Sequence, residues 1–240
     1  DKDIIDLELQ LKDLETIEKR ILKLEKVVKS GDKIAKKEFD IVSKCKCFLE
    51  AGNNVRDFKC EDRYFVNQLF LLSDKPVLYV CNVEEESILT GNNYVEEVKK
   101  SIKDEFAEII ILAAGIESEI NELSEHEERK MFLNDLGLDE PGSNKLIKST
   151  YSLLSLHTYF TAGIKEVRAW TIPIGSKASQ AAGVIHSDFE KGFIKTEVIS
   201  YSDYISYGSE LKAKEAGKMR VEGKDYVVND GDVMHFLFNV

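Results

Sequence analysis

The chain has 240 residues, which is enough for one large domain or two modest ones. Its 43% apolar and 32% charged residues are ordinary for a globular protein, and no apolar run is long enough to span a bilayer, so no membrane partner is expected. The net charge of −11 excludes a surface that is basic all over.

The first segment predicts a long helical hairpin. From Ile4 to Val28 apolar residues recur at steps of three and four, Gly31 then ends the helix, and Asp32 can cap a second one. Residues 19–46 carry 10 basic against four acidic side chains, so the turn of the hairpin forms a basic tip. This tip is a candidate RNA or ribosome contact, although a solvated coiled-coil face would look the same. The candidate residues are Lys29, Lys33, Lys36 and Lys37.

The middle of the chain alternates helical and strand patterns. A helix is predicted over 61–72, a buried strand over 77–81, a helix over 93–106 and a second buried strand over 109–113. Helices are predicted over 116–137 and 146–156. Strands that alternate with helices in this way indicate an α/β fold with a parallel sheet.

From residue 157 the pattern changes to short alternating strands, which indicates a separate α+β domain. Strands are predicted over 167–174, 195–199, 219–221, 226–228 and 233–238, with one helix over 178–186.

Two loops follow the two buried strands and form the candidate nucleotide site. Asn82 and Glu85 lie in the first loop, and the second runs from Ala113 through Ala114 and Gly115 to Ile116. Ligands of parallel α/β sheets bind at the carboxyl ends of the strands. By itself, however, Asn-x-x-Glu is a weak motif that can simply end a strand and cap a helix.

Several stretches together resemble the YchF family of Obg-like ATPases, and the resemblance covers essentially the whole chain. They are DLETIEKR (13–20), FLEAG (48–52), KPVLYV (75–80), LLSLHTYFT (153–161), AAGVIHSDF (181–189) and EGKDYVVNDGDVMHF (222–236).

The resemblance implies a P-loop G-domain of α/β class with an inserted antiparallel helical hairpin, followed by a TGS domain of β-grasp type. Residues 1–65 would be the hairpin, 66–156 the carboxy-terminal half of the G-domain, and 157–240 the TGS domain. The family implies ribosome association and hydrolysis of ATP, in preference to GTP, with Mg²⁺.

In GTPases the first loop reads Asn-Lys-x-Asp, and the aspartate pairs with guanine. Here Val83 replaces the lysine and Glu85 the aspartate, so guanine should lose its advantage. The second loop resembles Ser-Ala-Lys, with Ala113 and Gly115 as departures that matter little if the backbone makes the contacts.

The chain contains no Gly-x-x-x-x-Gly-Lys-Ser/Thr loop to hold phosphates. We therefore expect a carboxy-terminal fragment without catalytic or metal-binding residues, inactive by itself. Its incomplete sheet would be covered by the missing amino-terminal G-domain segment or by a homodimer contact. The alternative is a non-catalytic module that binds RNA or the ribosome through the tip and the TGS domain.

We expect structural roles for the other candidate residues. The four cysteines, Cys45, Cys47, Cys60 and Cys81, lack the spacing of a disulfide framework, which favours a reducing cytoplasm. Cys45 and Cys47 diverge on a helix, and Cys81 is first a buried strand residue with an open redox alternative. We expect His186 with Asp188 to end a helix, His235 to lie in a strand, and three tyrosines to share a helix face, namely Tyr201, Tyr204 and Tyr207.

Overall fold

The computed structural model describes residues 2–103, 105 and 107–239. It divides into two compact units, Asp1–Val77 and Leu78–Val240. The predicted boundary after residue 65 falls inside the first unit, and the three-domain division stays a prediction. None of the helices formed by the described residues combines the length and the apolar character that a membrane crossing requires.

The first unit is built on the predicted hairpin. Helix α1 (Lys2–Val28) packs along α2 (Lys33–Glu50). Asp32 caps α2 as predicted, because its Oδ1 accepts hydrogen bonds from the backbone N–H groups of Ile34 at 2.8 Å and Ala35 at 3.0 Å. Apolar residues on the facing sides of the two helices form the core of the unit, among them Ile17, Val42, Cys45 and Leu49.

After the hairpin the chain returns along α1 through a 3₁₀ turn (Val55–Asp57) and a short helix, α3 (Tyr64–Asn67). The predicted helix over 61–72 was therefore too long. Beyond the helix, side chains hold the end of this segment. Asp13 accepts hydrogen bonds from the N–H groups of Leu72 and Ser73 and from Ser73 Oγ, at 2.7, 2.8 and 2.7 Å. Arg63 pairs with Asp74.

The second unit opens with two strands, β1 (Leu78–Asn82) and β2 (Glu108–Leu112), which pair in parallel. Helix α4 (Asn93–Ser101) lies between them in the chain and ends before the predicted limit, Phe106, which is outside the described residues. Three helices follow: α5 (Ala114–Glu122), α6 (His126–Asp135) and α7 (Gly142–Leu153).

Two helix predictions in this unit need correction. The helix predicted over 116–137 is broken into α5 and α6. Leu133 joins Ile116 and Ile120 in one core cluster, although on a continuous helix its position would be turned about 260° from that of Ile116, at 100° per residue. The helix predicted over 146–156 is α7, which starts four residues earlier, and Ser155, with φ of 52°, then turns the chain into a strand.

The remainder forms a five-stranded sheet with strand order β4-β3-β7-β5-β6. Its strands are β3 (Leu156–Ala162), β4 (Val167–Pro173), β5 (Phe193–Ile199), β6 (Arg220–Glu222) and β7 (Val233–Phe238). The helices of this part are α8 (Ala178–Ile185), α9 (Ser187–Lys191), α10 (Tyr201–Tyr207) and α11 (Glu210–Glu215).

One face of this sheet packs against α8, with Tyr159, Ile172, Ala181 and Met234 in the core. The sequence analysis missed β3. It also predicted a strand over 226–228 that is absent from the described structure, where Val227 makes a single bridge to Lys177. The predicted α/β class is consistent with the mixed strands and helices of the unit.

Replacing Asp13 should destabilise the first unit. In Asp13→Ala two backbone N–H groups lose the acceptor that Asp13, 2% exposed, now provides. The expected cost is about 2–4 kcal/mol of unfolding free energy, measured by urea denaturation followed by helical circular dichroism. The control is Asp40→Ala at an exposed position of α2. Equal stability of the two variants would contradict the assigned role.

Candidate nucleotide-binding site

The two candidate loops begin side by side. β1 and β2 are parallel neighbours with Asn82 opposite Leu112, so both strands end at the same edge of the sheet. The N–H of Val83 extends the pairing by donating to the carbonyl of Leu112 at 2.9 Å. The carboxyl ends of adjacent parallel strands are the usual position of a ligand in this class of sheet.

Asn82 joins the two loops directly. Its Oδ1 accepts a hydrogen bond from the backbone N–H of Ala114 at 3.0 Å. This contact uses one side of the carboxamide, and the two hydrogens of Nδ2 can donate to another acceptor. The two loops therefore lie in contact, as predicted, while their role in base binding stays a prediction.

Glu85 lies close to this junction in the chain and is open to solvent. It begins a 3₁₀ turn (Glu85–Ser87), and its neighbours Glu84 and Glu86 are exposed as well. Within the described part of the chain, no hydrogen bond or ion pair engages the Glu85 carboxylate. It is thus available to a ligand, although three adjacent carboxylates also make this loop strongly acidic.

The second loop offers mainly backbone to a ligand. Ala113 and Ile116 are only 2% and 3% exposed, and their side chains belong to the core beneath the loop. Ala114 and Gly115 are exposed. A Cβ added at Gly115 would meet open space, so packing does not exclude a larger residue there. Of the predicted residues in this loop, Ile116 could contribute only through its backbone.

A cleft of about 370 Å³ lies beside Asn82 and Val83. Its other wall is the start of α4, where Tyr94 is 77% exposed and Asn92 caps the helix by accepting from the N–H of Val95 at 3.1 Å. The sequence analysis did not select Asn92 or Tyr94. The signal that could have identified them was the predicted start of a helix at this position. The residues of the second loop do not line this cleft.

Glu117 ties the second loop to α7. Its carboxylate accepts hydrogen bonds from the N–H groups of Gly142 at 2.6 Å and Ser143 at 3.1 Å, at the start of that helix. A Cβ at Gly142 would lie 2.9 Å from Glu117 Oε1 and from the Cβ of Leu112, so glycine permits this close approach. No sequence motif pointed to this contact.

Known proteins with similar sequences show the family of this chain. A family model described as "YchF-GTPase_C: Protein of unknown function (DUF933)" matches residues 156–239. The Ribosome-binding ATPase YchF of Bacillus subtilis is 52% identical over 244 residues, which cover 100% of this chain and 66% of that protein. The chain belongs to the YchF family. The protein of the same name from Escherichia coli O157:H7 is 49% identical over 242 residues, with the same coverage.

A solved structure of another YchF protein has the same fold as this chain. The Schizosaccharomyces pombe YchF GTPase superposes with a TM-score of 0.86 at 34% identity, covering 99% of this chain and 65% of that one. The chain thus spans 66% of the length of the two bacterial relatives named above, and the rest of each relative has no counterpart in this sequence.

At the basic tip of this YchF chain, one of the four candidate lysines is engaged in an ion pair. Lys29, Lys33 and Lys36 are exposed. Lys37 instead forms an ion pair with Asp62 at 2.7 Å, and this pairing raises the pKa of Lys37. The structure therefore separates Lys37 from the other three predicted contact residues.

The contacts of the remaining candidate residues indicate structural roles. Cys45 is buried while Cys47 is exposed, so the two thiols diverge, and burial raises the pKa of Cys45 to about 12. Burial also raises the pKa of Cys81, which leaves it mainly a protonated thiol. His186 caps α9 by accepting from the N–H of Asp188 at 3.2 Å. Among the described residues, no group of three or more His, Cys, Asp or Glu could hold a metal ion.

Proposed function

We propose that this chain supplies the base-recognising part of a ribosome-binding ATPase. The observation that carries the proposal is the hydrogen bond from the Ala114 N–H to Asn82 Oδ1, which joins two loops at the carboxyl edge of a parallel sheet. Relatives from Bacillus subtilis and Escherichia coli, both named ribosome-binding ATPases, match all of this chain. In the proposed site Nδ2 of Asn82 donates to the purine, and the backbone at Ala114 and Gly115 borders it.

The preferred nucleotide in this proposal is ATP with Mg²⁺ rather than GTP. An aspartate at position 85 would present two carboxylate oxygens to the N1–H and amino group of guanine, whereas Glu85 has one more methylene and places its carboxylate differently. A site loses most of its discrimination when such a paired contact cannot form. Adenine lacks both of these donors, so it is not penalised by the change.

Hydrolysis in this proposal requires residues beyond this sequence, because phosphoryl transfer depends on positioning and charge neutralisation by a phosphate-binding loop. The chain alone would then be inactive. We infer that β1 and β2 are part of a larger G-domain sheet. Val80 on β1 is 45% exposed, and no described strand pairs with the outer edge of β1, so further strands could add there. The five-stranded sheet with α8 would be a TGS domain.

Ribosome contact is assigned to the tip of the hairpin and to the TGS domain. Three exposed lysines within a short distance along the chain can neutralise phosphates, namely Lys29, Lys33 and Lys36. Lys37 stays a candidate, but it would have to exchange its exposed ion pair with Asp62 for a phosphate. A module that binds RNA without any nucleotide remains the second candidate function, favoured by the same exposed lysines.

Substituting Glu85→Asp in the complete protein should shift nucleotide preference toward GTP. The shorter carboxylate can form the paired contact with guanine, so we expect the ratio of the ATP and GTP dissociation constants to change by about tenfold or more. Fluorescent-nucleotide displacement measures both constants. Glu86→Asp makes the same chemical change one residue later and should leave the ratio unaltered. An unaltered ratio in Glu85→Asp would remove Glu85 from the site.

Neutralising the tip should reduce the salt dependence of ribosome binding. In a variant with glutamine at positions 29, 33 and 36, the slope of log affinity against log salt should become shallower by about 0.7–0.9 for each phosphate that the tip no longer neutralises. Co-sedimentation of the chain with ribosomes at two salt concentrations measures this slope.

The matched control removes three exposed lysines of the second unit, Lys100, Lys103 and Lys130. The total charge change is the same, so a general electrostatic effect would alter both variants equally. Equal slopes for the two variants would show that the tip makes no specific contact.

A further inference from the structure

The segment that follows the hairpin presents an aromatic side chain and two carboxamides to solvent. Tyr64 lies on α3 with Asn67, and Gln68 caps the end of that helix, so the three side chains share one face. All three are exposed, Tyr64 by 64%. Phe65 and Val66 lie on the other face, where they pack into the core of the first unit. The outward face of α3 thus contributes nothing to the core.

Phe70 adds a second exposed ring next to the carboxamides. Its side chain is 79% exposed, and its N–H donates to the carbonyl of Asn67 at 3.3 Å. Its φ of 50° lies in the left-handed region, which a bulky side chain adopts only at a cost in free energy. The flanking contacts hold it there, because Leu71 is buried and Asp13 binds the next two N–H groups. A strained backbone that places a phenyl ring in solvent is an arrangement found mainly at binding sites.

The polar groups of this aromatic surface (Tyr64, Asn67, Gln68 and Phe70) have no hydrogen-bond partner among the side chains and backbone that the structure describes. This holds for the hydroxyl of Tyr64 and for both carboxamides. A carboxamide can donate to and accept from the edge of a base, while an aromatic ring stacks on the face of any base. The combination therefore fits unpaired bases better than it fits an apolar ligand.

The aromatic surface adjoins the basic tip of the hairpin. The ring centre of Tyr64 lies 5.7 Å from that of Phe65, and the Phe65 ring centre lies 5.8 Å from Lys37 Nζ. Lys33 is exposed and lies one turn before Lys37 on the same side of α2. A nucleic acid whose phosphates contact these lysines would therefore bring its bases within reach of the Tyr64 ring. The positive charge beside the rings complements an RNA strand.

We propose that Tyr64 and Phe70 stack on unpaired bases of single-stranded RNA, while the lysines of the tip neutralise its phosphates. Asn67 and Gln68 then form hydrogen bonds with the edges of the same bases. The inference rests on the proposed ribosome contact of the tip and adds to it a preference for bases over the sugar–phosphate backbone alone. Duplex RNA would not use this surface, because its bases are already paired and stacked.

The test compares two fluorescein-labelled oligomers of equal length, about twelve nucleotides. One is oligouridylate RNA, and the other is the same backbone with hydrogen in place of every base. Fluorescence anisotropy gives the dissociation constant of each oligomer from this chain at two salt concentrations. We expect oligouridylate to bind about tenfold or more tightly than the abasic oligomer, because only its bases can stack on the rings. The salt dependence should be equal, since both oligomers carry the same phosphates.

The protein variants remove one ring at a time. Tyr64→Ala and Phe70→Asn should each weaken the binding of oligouridylate by about tenfold and leave the binding of the abasic oligomer unaltered. Asparagine tolerates the left-handed backbone at position 70, so Phe70→Asn should fold at least as stably as the parent chain, as thermal unfolding will show. Tyr64→Phe and Phe70→Tyr keep the rings and should retain the base preference. Leu22→Ala, at an exposed position of α1, is the control for loss of apolar surface.

Equal affinity for the two oligomers, or parent-like binding of oligouridylate by folded Tyr64→Ala and Phe70→Asn, would overturn the inference. Salt-dependent binding without a base preference would do so while leaving the proposed role of the tip intact. A base preference that persists, with an unaltered salt slope, when the three tip lysines are glutamine would support the rings and remove the lysines. Loss of ribosome binding in the ring variants, when neither oligomer binds, would assign the rings to a protein contact and would also overturn the inference.

Discussion

The account of this chain depends on the parallel pairing of β1 with β2. The pairing ends both strands at one edge, and the hydrogen bond between Asn82 and Ala114 then fixes the loops that follow them. If the register slipped by one residue, the side chain of Asn82 would turn to the other face of the sheet and this hydrogen bond would break. The chemistry proposed for the site is thus a consequence of strand register more than of any single motif.

Side-chain contacts also link the candidate site to the second sheet. Glu117 follows the second loop and caps α7, and near the other end of α7 the hydroxyl of Tyr151 lies 3.0 Å from Thr171 Oγ1 on β4. Helix α7 therefore connects the candidate base loop with strand β4 of the second sheet.

Sequence reasoning succeeded where local chemistry decides the structure. The apolar run from Val77 to Cys81 predicted a parallel strand, and Gly31 with Asp32 predicted the turn of the hairpin; each feature depends on a few neighbouring residues. The predicted burial of that strand was wrong, because the residues of β1 are half-buried or exposed. The predictions were wrong where contacts between residues far apart in the chain decide the structure. The segment 61–72 has helical character in sequence, yet its helix ends at Asn67, and Asp13, about sixty positions away, binds the N–H groups that follow.

The same distinction applies to the candidate site. The strand ends and the two loops were predicted from position and resemblance, whereas the burial of Ile116, the engagement of Lys37 by Asp62 and the wall formed by Tyr94 depend on packing that no motif encodes. A strand over 226–228 was predicted from alternation, but the segment there makes one bridge and serves mainly to bury Val228.

The central claim is that the two loops form one surface for a purine. The most direct measurement is a ¹⁵N–¹H NMR titration of this chain with adenosine, with guanosine as the comparison ligand. The account predicts that the amide signals of Val83, Glu85, Ala114 and Gly115 move together along one binding curve, with a larger response to adenosine. Signals of one loop that move while those of the other stay fixed would contradict it.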